Sequence, residues 1–394
     1  MKTSFIRIEG SVTAPRGFRA AGVAAGIKPN GKKDVTLIVS DMPATVAATF
    51  TTNQVKAAPV KLSMQHVKSG KACAIVANSG NANACTSDGP IHARAMACAV
   101  ARRLGCAENH VLVCSTGRIG VNLPIVKVEA GIKQCLGALS QSGGASAAQA
   151  IMTTDTFAKE AAVQFKARGK TFRIGGIAKG AGMIQPNMAT MLSFITTDAA
   201  IPRTALRKAL TRAVNQSFNR ISVDGDTSTN DTVILLANGM AGAPPLAKFQ
   251  EALDCVCLEL AKMIVRDGEG VSKFVTLDVR GAVSDRDAEV AARAVANSVL
   301  VKTSWCGGDP NWGRILDALG YSRARIREDL VDIAYNGVSA VRGGMAARTP
   351  LAKLKKIVAQ PTFTIDIHLH LGRGHCVMHT CDLTEKYVEL NKGE

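Results

Sequence analysis

Residues 177–200 read IAKGAGMIQPNMATMLSFITTDAA and change character half-way. Up to Ala189 the stretch is a loop, because Gly180, Gly182 and Pro186 interrupt both helix and strand. From Met191 to Thr196 it is a strand-like apolar run, with Thr190 at its mouth. A hydroxyl held at such a junction can be pressed against the carbonyl of Ala189. Attack by the Thr190 Oγ would move the acyl group from nitrogen to oxygen, and water would then open the ester. The product is a new chain that begins at Thr190. Its free α-amine, with an ordinary pKa of roughly 7.7–8, can serve as base for the same hydroxyl, a known way of activating a threonine nucleophile. A threonine that merely caps a strand fits the same letters, so spacing alone leaves both readings open.

Outward from this segment, strand-like runs at Val35–Ser40, Ala74–Ala77 and Val111–Cys114 alternate with helical patterns at Ile91–Leu104 and Pro124–Leu139. The alternation predicts an α/β fold, α+β layered. Gln141–Ala148 (QSGGASAA) and Ala241–Leu246 (AGAPPL) read as a flexible connector and a surface loop. From about residue 275 the pattern restarts with a strand (FVTLDVRG), a helix over Asp285–Asn297 and a helix around Ala346–Val358. Two alternating runs joined through Gly372-Arg373-Gly374 then suggest a closing hairpin and a separate C-terminal domain.

Composition narrows the function. With 394 residues, 47% of them apolar, the chain can bury one large core or two smaller ones, and aromatics at 4% favour close-packed α/β layers over an aromatic binding face. The formal charge of +17 raises the question of nucleic acid. Its lysines and arginines are dispersed, however, and the densest clusters, Lys353/Lys355/Lys356 and Arg323/Arg325/Arg327, lack interleaved aromatics for base stacking. Eleven cysteines without a Cys-x-x-Cys pair read as reduced thiols in a cytoplasmic protein. The N-terminal run lacks a signal-peptide core, and no segment reaches the roughly 20 apolar residues of a membrane span.

Three motifs fail on their chemistry. Gly26–Lys33 (GIKPNGKK) has Lys33 where a phosphate-binding loop needs a hydroxyl for Mg²⁺. Asp224–Asp231 (DGDTSTND) has Thr229 in place of the turn glycine of a calcium loop and Leu235 in place of its bidentate Glu. His368, His370, His375, His379 and Cys381 could in geometry share a metal, but a solvated strand face needs none.

The string KGAGMIQPNMATMLSFITTDA resembles the autocleavage signature of the ornithine acetyltransferase family, also called glutamate N-acetyltransferase. Eight further motifs resemble that family in order: PRGFRAAGVAAGIK at Pro15–Lys28, ANSGNANACT at Ala77–Thr86, STGRIG at Ser115–Gly120, IMTTDT at Ile151–Thr156, DGDTSTNDT at Asp224–Thr232, RDGEG at Arg266–Gly270, GDPNWGRI at Gly308–Ile315 and CDLTEKYV at Cys381–Val388. The resemblance spans essentially the whole chain. It implies an ArgJ/DmpA-like fold, self-cleaved between Ala189 and Thr190 into an α chain (1–189) and a β chain (190–394). These would assemble as a heterotetramer with two copies of each. The implied reaction moves an acetyl group from N2-acetylornithine to glutamate through an acetyl-Thr190 ester, with no cofactor. Acetyl-CoA as a further donor is left open.

By the same resemblance, Thr116 and the Gly117 N–H stabilise the oxyanion, and Thr153, Lys179, Thr190, Glu269 and Asn391 contact substrate. The residue types suit these tasks: Lys179 a carboxylate, Glu269 a cationic amine, and a glycine the close approach of backbone to ligand. Asp224, Asp226 and Asp231 are expected to orient the loop around the site. The chain departs from the family pattern after Asn391, where Lys392-Gly393-Glu394 replaces a longer end with a terminal Thr or Ser, so a shortened C-terminal clamp is expected. It also departs at Val271-Ser272 and at Arg118. Two rivals stay in view: an autoprocessed amidohydrolase or aminopeptidase in which water takes the acyl group, and a basic nucleic-acid-binding protein.

Overall fold

The computed structural model describes residues 5–185 and 191–392. The chain divides into two compact units, Met1–Asn219 with Asp226–Ile264, and Arg220–Gly225 with Val265–Glu394. The boundary falls at Val265, ahead of the strand that opens near residue 275. The RDGEG turn belongs to the second unit because Gly268 packs against Val223 and Val271.

The first unit carries β1 (Ile6–Ile8), β2 (Phe18–Val23), β3 (Val35–Phe50), β4 (Lys71–Asn81), β5 (Val111–Arg118), β6 (Lys159–Ala167), β7 (Lys170–Lys179), β8 (Leu192–Ala199) and β9 (Thr232–Gly242). They pair in the order β1-β6-β7-β8-β9-β3-β4-β5, with β2 also on β3. β3 joins two halves. Its first residues, Val35–Val39, pair with β2 and β4, and Thr45–Phe50 pair with β9. The register breaks between Val39 and Ala44, at the exposed Asp41-Met42-Pro43, where proline removes a ladder donor.

There the sheet folds over on itself. In a flat sheet β5 and β9 would lie three strand spacings, roughly 14 Å, apart. Instead, Asn230, just ahead of β9, donates from Nδ2 to the Ser115 carbonyl on β5 at 2.8 Å. One core fills the fold, joining Ile38, Ile75 and Leu112 to Ile177, Phe194 and Ile234. The outer face of β3–β5 is covered by α2 (Gly89–Leu104) and α3 (Ile125–Ala138), which follow α1 (Ala58–His66).

α4 (Gly144–Ile151) takes up more than half of the stretch that reads as a flexible connector. The cause is close packing: a Cβ on Gly143 would stand 1.7 Å from the Ala20 carbonyl oxygen, so small residues here press the helix onto β2. α5 (Arg203–Gln216) lies on β3, and α6 (Leu246–Arg266) presses Val256 and Leu260 on Gly176 of β7.

The second unit holds β10 (Phe274–Ala282), β11 (Asp332–Tyr335), β12 (Val338–Arg342), β13 (Met345–Ala346), β14 (Thr362–His368) and β15 (Gly374–Cys381), in the order β13-β12-β11-β14-β10-β15. The expected hairpin is therefore absent. β10 lies between β14 and β15, parallel to one and antiparallel to the other. The Gly372–Gly374 connection steps over it, with glycine packed on the Ala282 carbonyl. Helix α7 (Asp285–Asn297) is capped by Ser284, whose side chain accepts from Asp287 N. It buries Ala288, Ala291, Ala292, Val295 and Ala296, the stripe expected of an amphipathic helix. α8 (Val299–Cys306) and α9 (Trp312–Tyr321) complete that layer, and α10 (Leu351–Val358) and α11 (Glu385–Leu390) follow. The helix read at Ala346–Val358 starts only at Leu351, because Pro350 sets its N-terminus.

Trp305 is fully buried at the centre of this core and meets Phe363 edge-to-face at 6.1 Å. Trp305→Ala should lower the unfolding free energy by about 3–5 kcal/mol, read from guanidinium unfolding curves. A loss below about 1 kcal/mol would contradict this packing.

Candidate active site

β4 and β5 run parallel and end together, with Ser79 opposite Thr116 and Gly80 opposite Gly117. Gly117 has φ +129°, and a Cβ there would lie 2.3 Å from the Gly80 carbonyl carbon. Only glycine fits that position, which lies at the exposed end of β5. Thr116 beside it is buried.

From the opposite layer Lys179, the last residue of β7 and 2% exposed, donates from Nζ to Thr116 Oγ1 at 3.3 Å. A hydroxyl that accepts from an ammonium keeps its own proton to give elsewhere.

Asp155 ties this pair to Thr153. Its Oδ1 accepts from Lys159 Nζ and from the Gly180 N–H, each at 2.7 Å, and its Oδ2 accepts from the Thr153 N–H at 2.8 Å. Lys159 and Asp155 have fully buried side chains. Burial works against the charge on Asp155, yet the positive charges of Lys179 and Lys159 outweigh it and bring its pKa down to about 2. Lys28, held by Lys33 O at 2.7 Å, passes over Gly80. Burial lowers its pKa to about 8, against the pull of Asp34 and Asp155 and with the push of Lys179 and Lys32.

The predicted residues Thr116, Gly117, Thr153 and Lys179 thus form one cluster in the first unit. Ala189 and Thr190 lie outside the described residues. The next residue, Met191, donates its N–H to Asp231 Oδ1 at 2.8 Å. Glu269 and Asn391 meet in the second unit, where Asn391 Nδ2 donates to Glu269 Oε2 at 2.8 Å and to the Tyr387 carbonyl at 2.9 Å. Tyr387 OH in turn donates to Asp224 at 3.3 Å.

Asp155, Lys159, Lys28 and Asn230 were not singled out as site residues by sequence reasoning. Asp155 and Lys28 lie inside quoted motifs, but nothing in their spacing distinguishes a buried charge from a solvated one. Asn230 donates to the Ala82 and Ser115 carbonyls at 2.7 and 2.8 Å, binding the loop before β9 to the ends of β4 and β5. In the second unit His370 pairs with Asp332 and His375 with Asp278, while His379 meets Thr276. Among the described residues no group of three or more His, Cys, Asp and Glu side chains is placed to hold a metal ion.

The model of the ArgJ family matches residues 19–393. The arginine biosynthesis bifunctional protein ArgJ of Geobacter sulfurreducens is 50% identical over 385 residues, covering 95% of this chain and 98% of the relative. A glutamate N-acetyltransferase of Methanocaldococcus jannaschii is 46% identical over 399 residues, covering 98% of each. A crystal structure of the arginine biosynthesis bifunctional protein argJ from Bacillus halodurans, at 40% identity and a TM-score of 0.50, is matched along its whole length by 52% of this chain.

Asp155→Asn removes the partner of a buried ammonium, and unfolding free energy at neutral pH should fall by about 3–5 kcal/mol. Because the folded pKa of about 2 lies below the ordinary 3.8, the wild type holds this contribution above the ordinary value. It loses the contribution as pH drops toward the folded one. Urea titrations across that acid range should show the limb in the wild type and its absence in the variant.

Proposed function

The chain belongs to the ArgJ family, and on that footing we propose that it is an acetyltransferase of arginine biosynthesis, moving the acetyl group of N2-acetylornithine to glutamate after cutting itself between Ala189 and Thr190. The Thr190 Oγ attacks the acetyl carbonyl, with the freed α-amine taking its proton. The oxyanion accepts from the Thr116 hydroxyl and the Gly117 N–H. Ornithine leaves with the proton, and the glutamate amine then opens the acetyl-threonine ester. The observation that carries this reading is the Lys179–Thr116 hydrogen bond of 3.3 Å. It orients the one proton of Thr116 toward an acceptor other than Lys179, and the ammonium beside it supplies the positive charge a substrate carboxylate needs. Thr153 joins that contact through Asp155. Glu269, braced by Asn391, suits the distal ammonium of ornithine.

The pairing of β7 with β8, from Ile174 opposite Thr197 to Lys179 opposite Leu192, supports two products that stay together. A solved relative whose whole length matches 52% of this chain is of the size such a product would have, 205 of the 394 residues. Two copies of each product would form the tetramer. The free cysteines suit a reducing cytoplasm, and among the described residues no helix is long and apolar enough to cross a membrane. No cofactor takes part, and acetyl-CoA as a second donor would add net synthesis of acetylglutamate.

Intact-mass analysis of the wild type should give pieces of 189 and 205 residues with a new N-terminus at Thr190, and Thr190→Ala should stay whole. With N2-acetylornithine, glutamate should be acetylated faster than acetate is released. Acetate as the main product would assign the protein to the hydrolases instead.

A further inference from the structure

Asp34 is a fully buried aspartate that the acetyl-transfer scheme leaves unused. It organises the loop that follows β2. Its Oδ1 accepts the Ala25 N–H at 2.6 Å, and its Oδ2 accepts the Ile27 and Lys28 N–H groups at 2.6 and 3.0 Å. Its backbone ties the loop to the sheet, donating to the Val23 carbonyl and accepting from the Ser79 N–H, each at 2.8 Å. The next residue along β4 is Gly80, and the lack of a side chain there makes room for the stem of Lys28, whose Cγ would stand 3.0 Å from a Cβ at that position. Gly80 in turn lies opposite Gly117.

The loop thus carries the Lys28 side chain to the ends of β4 and β5. Among the described residues its ammonium makes one hydrogen bond, to the Lys33 carbonyl at 2.7 Å, and no carboxylate stands within ion-pair distance of it. Two of its three protons have no protein acceptor. Burial lowers its pKa to about 8, while Asp34 and Asp155 pull upward and Lys179 and Lys32 push down, so Lys28 stands within electrostatic reach of the cluster. It is a poorly solvated cation that lacks a counter-charge.

The two substrates differ in what they ask of such a cation. N2-acetylornithine carries one carboxylate and a cationic side chain, whereas glutamate carries two carboxylates. Lys179, 2% exposed and bonded to Thr116, can serve the α-carboxylate of each in turn. Only the acceptor calls for a second cation.

We propose that Lys28 is the specificity-determining residue for the acceptor, donating a charge-assisted hydrogen bond to the side-chain carboxylate of glutamate. The inference rests on the acetyltransferase reading above. Asp34 acts through Lys28, as the positioning residue that fixes the loop beside Gly80.

In a reaction that passes through an acyl-enzyme, kcat/KM for the donor reports the first half-reaction and kcat/KM for the acceptor the second. Both are measured for the purified wild type and for Lys28→Met, whose unbranched apolar stem still covers Gly80, with glutamate and with glutamine as acceptor. Lys28→Met should lower kcat/KM for glutamate about 10- to 100-fold further than kcat/KM for N2-acetylornithine, and the preference for glutamate over glutamine should disappear with it. An equal effect on the two values would mark Lys28 as support for the loop alone and overturn the inference. So would equal use of glutamate and glutamine by the wild type, an outcome independent of whether the variant folds. A wild type that acetylates neither acceptor would instead remove the acetyltransferase reading on which the inference stands.

Discussion

A single carboxylate sealed in the interior, Asp155, sets the geometry on which the cluster depends. It receives Lys159, the Gly180 N–H and the Thr153 N–H at once, and its charge is sustained by Lys179. Without that charge, two ammonium groups would stand in a poorly solvated space with less to balance them. With it, the last residue of β7 is held where it meets Thr116 across the fold of the sheet. The cluster is in this sense an electrostatic lattice, held together from inside the fold.

The lattice needs the sheet to fold, and the fold comes from one long strand. β3 runs from Val35 to Phe50 and serves β4 with its first half and β9 with its second. The irregular residues between Val39 and Ala44 let the direction change without ending the strand. Elements remote in the hydrogen-bonded order then face each other, and Asn230 clasps the ends of β4 and β5.

Local pattern made the strands at Val35, Ala74 and Val111 and the helix at Asp285–Asn297 legible, because each carries its own period or cap. The motif order carried Thr116, Gly117, Thr153 and Lys179, which the structure brings together, and Glu269 with Asn391, which it also joins. What escaped was non-local. The run after Gly372 looks like a hairpin until β10, about ninety residues earlier, is seen to take the place between the two strands. QSGGASAA looks like a linker because small residues signal mobility in isolation, whereas here they permit contact with Ala20. Nothing in the sequence marks Lys28 or Lys159 as enclosed, because burial belongs to the fold and leaves no mark on the letter itself.

The ladder between Lys179 and Leu192 has one more consequence. A cut between residues 189 and 190 leaves β7 on one product and β8 on the other, both in the middle of a sheet. Either product alone would present a long apolar strand with bare N–H and C=O groups, the kind of edge that recruits foreign chains. Under the proposed cleavage neither half could exist safely as a free species, and folding would have to precede cutting. The unbroken precursor would then serve as an internal chaperone for its own products, delivering them already matched one to one.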